Sequence, residues 1–251
     1  MSLPKIANLP SKEITLPVSK KKIKIRPFLV KEEKVLLMIK EDSSTKVDDF
    51  INAMKDIVSA CTYEGINVED VNPVDLEYTF FHIRMLAKGT KSELQFRCQV
   101  KDEDGEICGG QIPVEINLEK EVQIREDDRH QKEFPIPGTN IYIVMKYPNI
   151  ETTKSFMVQE QLEENYENIE KMLLNHVDYI LDGEEAHTDF TYEELQTWFE
   201  ESVPGSIIEE IVDKFFKRMP KLHIPLDLEC PKCGNKEHVE VEGIENFFPS
   251  S

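Results

Sequence analysis

Apolar and polar residues alternate along four stretches of the chain, and these stretches form two similar pairs. In each pair, two alternating stretches flank a turn that carries two cysteines. The stretches are residues 93–97 and 112–118 in the first pair, and 223–229 and 237–241 in the second. A period of two is typical of strands with one buried face, so each pair predicts a β-hairpin tipped by cysteines.

The N-terminal region shows a third alternation, between apolar residues and cations. Residues 22–26 read Lys-Ile-Lys-Ile-Arg and follow a first apolar stretch at 13–17. This pattern predicts a β-hairpin with one solvent-exposed, basic face. Because no aromatic residues are interleaved with the lysines, the run is more typical of a solvated edge strand than of a nucleic-acid patch.

Helical periodicity follows this hairpin. Apolar residues recur every three or four positions from residue 30 and again over 47–58, which predicts two helices. Asn72 and Pro73 then supply a cap and a first-turn proline for a third helix.

The region after the first cysteine pair contains both the two-residue period of strands and the three-to-four-residue period of helices. Residues 141–145 are apolar and predict a strand that extends the sheet of the cysteine hairpins. A helical pattern then runs from 153 to about 181. Capping boxes at 191–194 and 206–209 predict two more helices, so helices are expected to fill most of the stretch before Pro220.

The spacing of four cysteines indicates a structural zinc site. Cys230 and Cys233 have the tight spacing of one half, and Cys98 and Cys108 form the other half, with nine residues between them. Glycines directly after Cys108 and Cys233 allow the positive φ that a turn around a metal needs. Four thiolates around one tetrahedral Zn²⁺ leave no position for water, so the predicted site is structural, with one zinc per chain.

Other readings of the cysteines remain open at this stage. The pair near the C-terminus could be redox-active, although its turn lies in a hairpin rather than at a helix start. A disulfide between Cys98 and Cys108, or two unrelated thiol pairs, are the alternatives to a shared metal. Cys61 ends an apolar helical stretch and is predicted to be a buried core thiol. His223 and His238 are interpreted as strand residues and only as distant substitute ligands.

These patterns predict an α+β fold, with a small antiparallel sheet of zinc-ribbon-like hairpins and with N-terminal and inserted helical segments. The predicted segments are an N-terminal β-hairpin arm (1–29), an N-terminal helical segment (30–90), the first half of the sheet with the first cysteine hairpin (91–147), an acidic helical insert (148–222), and the second cysteine hairpin with the C-terminal tail (223–251).

Composition favours an intracellular protein. With 251 residues, 39% of them hydrophobic, the chain can bury a substantial core in one large domain or two coupled ones. No apolar run approaches the ~20 residues of a membrane span, and the N-terminus lacks the apolar region of a signal peptide. We therefore expect a soluble protein without a membrane partner, in a compartment where thiols stay reduced.

Charge is unevenly distributed along the chain. Residues 1–34 contain nine Lys/Arg and three Asp/Glu, a local balance of +6, which leaves −25 for the remainder because the whole chain carries −19. Residues 151–213 contain eighteen acidic residues against two lysines. Such a surface repels phosphate backbones and favours protein partners over nucleic acid. The alternative is that acidity only keeps the protein soluble.

Catalytic motifs are missing from the sequence. It contains no Gly-x-Ser-x-Gly, no His-Glu-x-x-His and no glycine loop that would cradle phosphate. The many Asp/Glu pairs lie on exposed helical faces, where solvated charge is the ordinary role. We therefore predict a protein that is not an enzyme and has no catalytic residues.

Five markers, taken in their order along the chain, resemble the T4-type bacteriophage baseplate hub proteins. They are residues 23–28, 31–38, 215–222, the cysteine turn at 230–234, and 242–248. The resemblance extends from Ile14 to Phe248 and so covers nearly the whole chain.

The resemblance implies a late phage protein of tail morphogenesis that binds subunits of the baseplate hub in the host cytoplasm. Some members of the family are assembly factors or chaperones absent from the finished particle, whereas others are hub components retained in the virion. Exposed apolar groups on the acidic body are the expected contacts, and the candidates are Phe247, Phe248 and Phe216. The alternative for Phe247 and Phe248 is that they fold back on the sheet.

A hypothesis from another class is a zinc-ribbon regulator of transcription or replication machinery. It requires a basic surface near the cysteine turns, where Lys232 and Lys236 are the available cations, between Glu229, Glu237 and Glu240.

Overall fold

The computed structural model describes residues 9–41, 47–64, 66–101, 105–152 and 166–242. The chain divides into two compact units. The first consists of Met1–Arg125 and Lys221–Ser251, and the second is Glu126–Pro220. Both combine helices with small antiparallel sheets, which confirms the predicted α+β class. Within the described ranges, no helix is both long and apolar enough to cross a membrane.

The elements are labelled in chain order. The strands are β1 (Lys12–Thr15), β2 (Lys22–Ile25), β3 (Thr62–Glu64), β4 (Lys91–Arg97), β5 (Gln111–Asn117), β6 (Gln123–Arg125), β7 (Glu133–Pro135), β8 (Ile141–Met145), β9 (Val177–Asp182), β10 (Glu185–His187), β11 (Lys221–Glu229) and β12 (Lys236–Glu242). The helices are α1 (Val30–Glu41), α2 (Val47–Cys61), α3 (Pro73–Lys88), α4 (Leu118–Glu121), α5 (Tyr166–Asn175), α6 (Tyr192–Ser202) and α7 (Gly205–Lys214), followed by a 3-10 turn (Phe216–Arg218).

The predicted N-terminal hairpin is present in the first unit. Strands β1 and β2 pair antiparallel, with Ile14 opposite Ile23, and β3 adds to the other edge of β2. Both isoleucines are buried, whereas Lys22 and Lys24 are exposed. The hairpin therefore has one apolar face and one basic face, as the alternation predicts.

Helix α3 holds this hairpin through a buried carboxylate. Asp75 is 0% exposed, and its carboxylate accepts hydrogen bonds from the backbone N–H groups of Val18 (2.8 Å) and Ser19 (2.9 Å). It also accepts one from Nδ2 of Asn72 (2.8 Å), and Oδ1 of Asn72 accepts from the Asp75 N–H as the predicted cap of α3. Asp75 thus fastens the turn between β1 and β2 to the start of α3.

The two cysteine hairpins of the first unit are β4–β5 and β11–β12. The first is a separate two-stranded sheet, and the second forms a three-stranded sheet with β6. Strand β6 pairs with β11 so that Arg125 lies opposite Lys221. These are the last and first residues on either side of the second unit, so the chain leaves the first unit and returns to it at neighbouring positions of one sheet.

The second unit is built on a four-stranded sheet in the order β10-β9-β8-β7. Strand β8 was expected to extend the sheet of the cysteine hairpins, and this expectation is wrong, because its partners are β7 and β9 of its own unit. Helices and sheet enclose one apolar core. Its buried members include Phe134, Ile143, Leu173, Leu195, Phe199, Ile211 and Phe215.

The long helix predicted from 153 to about 181 is also corrected. Residues 153–165 lie outside the described part, α5 ends at Asn175, and Val177–Asp182 form β9. The backbone turns at His176, whose N–H bonds to the Leu173 carbonyl while its own carbonyl accepts from Lys146. The apolar residues after His176 fit both periods, and pairing with β8 makes them a strand.

The two predicted capping boxes have different outcomes. At α6, the Thr191 hydroxyl accepts from the Glu194 N–H, and the Glu194 carboxylate accepts from the Thr191 N–H, so this box is confirmed. The box at 206–209 is wrong, because α7 already begins at Gly205. Its cap is Pro204, which has no side chain that could bond the helix, so Ser206 lies inside the first turn.

We expect Asp75→Ala to lower the free energy of unfolding by about 2–4 kcal/mol. The substitution removes the hydrogen-bond acceptor of two backbone N–H groups of the turn and of the Asn72 side-chain amide. Urea unfolding followed by circular dichroism measures the change. Asp56→Ala, at an exposed position of α2, is the matched control and should stay within about 0.5 kcal/mol of the parent. Equal stabilities for the two variants would contradict the fastening role of Asp75.

Candidate metal centre

The first cysteine turn lies at the end of β4. Cys98 follows the last residue of that strand, its N–H donates to the Gly110 carbonyl (2.8 Å), and its carbonyl accepts from the Gly109 N–H (3.1 Å). Gly109 has φ +63°, a left-handed conformation that favours glycine. The turn is therefore closed by backbone bonds that bring the two ends of the loop together.

The nine residues between Cys98 and Cys108 have a structural explanation. The Cys108 N–H donates to the Val100 carbonyl (2.8 Å), and Lys101 forms a β-bridge with Ile107. The hairpin thus continues beyond the cysteines as a narrow ribbon. The length of this loop, which is unusual for a metal-binding turn, therefore does not separate the two cysteines.

The second cysteine turn lies between β11 and β12 and has the same closure. The Cys230 N–H donates to the Asn235 carbonyl, and the Gly234 N–H donates to the Cys230 carbonyl, both at 2.8 Å. Gly234 has φ +74°. The positive φ expected at the glycines after Cys108 and Cys233 is thereby confirmed at both positions.

The two turns bring four sulfurs into one group, the cysteine cluster, formed by Cys98, Cys108, Cys230 and Cys233. All four Sγ atoms lie within 4.8 Å of one another. The sulfurs of Cys98 and Cys233 are 3.7 Å apart, and those of Cys108 and Cys230 are 3.8 Å apart. Each of these contacts joins one turn to the other.

The sulfur separations fit a tetrahedral metal site. A regular tetrahedron with metal–sulfur bonds of about 2.3 Å has sulfur–sulfur edges of about 3.8 Å. A disulfide would require about 2.05 Å, and all five cysteines of the chain are free. The geometry therefore supports a shared four-sulfur site over a disulfide between Cys98 and Cys108 or two unrelated thiol pairs.

The surroundings of the cysteine cluster stabilise the thiolate form of Cys230 and destabilise that of Cys98. Backbone N–H groups of Cys233 and then Lys232 lower the pKa of Cys230 to about 7. The Val100 N–H favours the thiolate of Cys98, but burial and the hydrogen bonds to the other three sulfurs raise the pKa of Cys98 to about 12. Because neighbouring thiolates repel one another, a bound cation is what would stabilise all four in the charged form.

Gly110 allows the close approach of the two turns. A Cβ atom on this residue would lie 2.7 Å from the Cys230 sulfur and 2.9 Å from Cβ of Lys232. Across the same junction, Nζ of Lys232 donates to the Cys108 carbonyl (2.5 Å). The sequence analysis assigned no role to Gly110, although the Gly-Gly doublet after Cys108 is visible in the sequence, and it considered Lys232 only as a surface cation.

The remaining cysteine and the histidines lie where the sequence predicts. Cys61 is fully buried at the end of α2, and burial raises the pKa of its thiol to about 11. Nδ1 of His223 lies 3.2 Å from the Arg125 guanidinium, and Nδ1 of His238 lies 2.8 Å from an Asp227 oxygen. Both histidines are strand residues, and neither belongs to the sulfur group.

Of the three candidate partner-binding residues, the structure describes Phe216. Phe247 and Phe248 lie outside the described residues. Phe216 is partly buried against the core of the second unit, where its ring contacts His176 and Phe215 edge to face. A role in partner binding stays a prediction for all three.

Comparison with known proteins identifies relatives of the chain. The family described as T4 bacteriophage base plate protein matches residues 9–249. The baseplate hub assembly protein gp26 of Enterobacteria phage T4 is 26% identical over 234 residues, which is 92% of this chain and 94% of that protein. No solved structure matches the chain. The family match spans all four members of the cysteine cluster.

We expect Gly110→Ala to abolish metal binding at the cluster, because the added methyl group displaces the Cys230 turn. Metal content after gel filtration, measured by inductively coupled plasma mass spectrometry, tests this. Gly205→Ala is the matched control, since a Cβ there meets no atom within 4 Å and its backbone φ is not positive. Full metal content in Gly110→Ala would mean that the turns need no such close approach.

Proposed function

The chain belongs to the T4 bacteriophage base plate protein family, and from this premise we propose that it is an assembly factor of the baseplate hub. The observation that carries the proposal is the similarity to a baseplate hub assembly protein, which extends over 92% of this chain and 94% of that relative. Because the match spans both chains almost completely, the proposal concerns the whole protein. Its partners are then subunits of the hub, and it acts in the host cytoplasm while baseplates form.

We further propose that the cysteine cluster holds one structural Zn²⁺. Zinc fits the set because four thiolates at tetrahedral spacing are its usual structural ligands, and it would supply cohesion with no open position for a reacting molecule. Cys98 and Cys108 would hold it from one hairpin, and Cys230 and Cys233 from the other. This resembles the two halves of a zinc ribbon with residues 126–220 inserted between them in sequence.

A metal at this position would connect distant parts of the sequence. The short sulfur contacts link residues 135 and 122 positions apart. A crosslink over such a separation removes much of the conformational freedom of the unfolded chain, so zinc binding and folding of the first unit become coupled.

We also propose a role without catalysis, in which charged groups such as Asp127 stabilise the local structure. The pKa of Asp127 lies well below its usual range because Arg129, and then Arg218, donate hydrogen bonds to its carboxylate. A carboxylate held in this way strengthens the local structure and is a poor proton acceptor. We propose that the protein acts through its surface contacts.

The positions of two lysines argue against the zinc-ribbon regulator. Lys232 donates to the Cys108 carbonyl, and Nζ of Lys236 lies 3.1 Å from a Glu229 oxygen. Both lysines that this hypothesis relies on thus already have partners within the chain. The basic surface that this hypothesis requires for nucleic acid is therefore poorly supported.

We expect purified protein to contain one zinc per chain, and Cys98→Ser to lose the zinc together with cooperative unfolding, because three thiolates leave the site open. Metal analysis and thermal unfolding measure both quantities. Cys61→Ser, which changes a buried thiol outside the cluster, is the matched control for zinc content. Full zinc occupancy in Cys98→Ser would refute the shared site.

We expect a phage that lacks this protein to accumulate unassembled hub subunits, and expression of the protein in the host to restore hub assembly. Sedimentation of infected-cell lysates, with mass spectrometry of the fractions, measures hub formation. An assembly factor is present in the lysate and absent from purified particles. If it were found in particles in stoichiometric amounts, the alternative of a hub component retained in the virion would hold instead. Normal hub assembly without the protein would contradict both.

A further inference from the structure

Exposed apolar side chains are concentrated at one helix of the first unit. Ten large hydrophobic residues are exposed in the described part of the chain, and half of them lie within residues 29–38. Of the others, Tyr63, Tyr142 and Tyr192 are single residues far apart in the sequence, and Val100 and Ile107 lie near one another on the ribbon beyond the first cysteine turn. Scattered apolar residues are ordinary on a protein surface, whereas a contiguous group indicates an interaction site.

The helical repeat places three of these residues on one face of α1. Val30, Leu37 and Met38 are 68%, 50% and 69% exposed, and positions separated by seven and eight residues lie on the same side of a helix. Lys34, also exposed, lies between them in the helical projection, and Lys31 lies beside Met38. The docking face is defined here as these five residues.

The acidic residues of the first turn of α1 are directed toward the protein. Glu32 is 6% exposed and accepts hydrogen bonds from the Arg26 guanidinium (3.0 Å) and the Leu29 N–H (2.8 Å). Glu33 forms an ion pair with Lys88 of α3. Lys31 also contacts Glu32 (3.2 Å), but Arg26 shares that carboxylate, so the three side chains together keep a positive charge.

This arrangement gives the docking face an unusual chemistry for an acidic protein. Among the side chains of α1 that the structure describes, the most exposed are apolar groups and cations, because Glu32 and Glu33 form ion pairs within the chain. The third glutamate of the helix, Glu41, ends it and is not among these side chains. Residues 1–34 share this positive balance, while the remainder of the chain is strongly acidic. The complementary surface has apolar side chains flanked by carboxylates.

We propose that the docking face binds an acidic segment with apolar side chains from another protein of the baseplate. The inference rests on the proposed function, since it identifies where the assembly factor holds its partner. A second copy joined through the same face would place the lysines of both chains in one interface, because a two-fold interface is formed by the same surface of each subunit. Charge complementarity therefore favours a different protein.

Site-specific photo-crosslinking tests the occupant. Met38 of the full chain is replaced by the photoreactive residue p-benzoylphenylalanine, and the protein is irradiated in phage-infected cells. We expect an adduct whose peptide is acidic and comes from a baseplate protein. Tyr142, an exposed aromatic residue of the second unit, is the matched control position and should not give this adduct.

Several crosslinking results would overturn the proposal. These are a peptide from a second copy, a peptide from elsewhere in the same chain, a basic or neutral peptide, or no adduct above the level at position 142. Weakening of the adduct by Lys34→Glu would support the part played by charge. An unchanged yield in that variant would refute it.

Complementation separates this proposal from the proposed function. In a phage that lacks the chain, Leu37→Ser with Met38→Ser should restore hub assembly at least about tenfold less well than the parent protein, since loss of 1.4 kcal/mol of contact energy is tenfold in affinity. Its melting temperature should match the parent because both positions are exposed. Full restoration would refute the docking face alone, whereas normal hubs without any copy of the chain would refute the proposed function.

Discussion

The closure of the first unit depends on the approach of four sulfurs from two hairpins that are far apart in sequence. Neither hairpin belongs to a large sheet, and thiols so close together resist full ionisation unless a cation neutralises them. The backbone supplies the geometry beforehand, through the left-handed Gly109 and Gly234 and the missing side chain of Gly110. A metal ion bound by the cysteine cluster, as proposed above, would convert this geometrically prepared but electrostatically unfavourable arrangement into a crosslink.

Buried polar contacts organise the other end of the same unit. Asp75 binds the turn of the N-terminal hairpin, and Arg26 joins the end of β2 to Glu32 of α1 and to the Ala60 carbonyl at the end of α2. The contacts of Asp75 with the turn and of Arg26 with Ala60 satisfy backbone groups, and the contact of Arg26 with Glu32 pairs two charges. These contacts also determine the character of the surface, because carboxylates turned inward leave cations and apolar groups outside.

Local patterns in the sequence predicted much of this structure. Alternation identified both cysteine hairpins, the spacing identified the four members of the cysteine cluster, and Thr191 with Glu194 identified the start of α6. The sequence-based prediction failed where the pairing of strands distant in sequence determines the secondary structure. The apolar residues at 177–182 fit a helix as well as a strand, and nothing local shows that β8 has β9 as its neighbour. The sulfur contacts between the two turns, and the need for glycine at position 110, likewise arise only when the two turns meet.

The pairing of Arg125 with Lys221 has a consequence for how such a protein can diversify. Residues 126–220 connect two residues, Arg125 and Lys221, that are paired directly across strands β6 and β11. They therefore occupy the position of the loop in a β-hairpin. Their length and fold can therefore change without shifting the register of β6 and β11 or the separation of the cysteine turns. The junction of Arg125 and Lys221 is therefore a position at which a segment of another length could join β6 to β11 without altering the two cysteine hairpins.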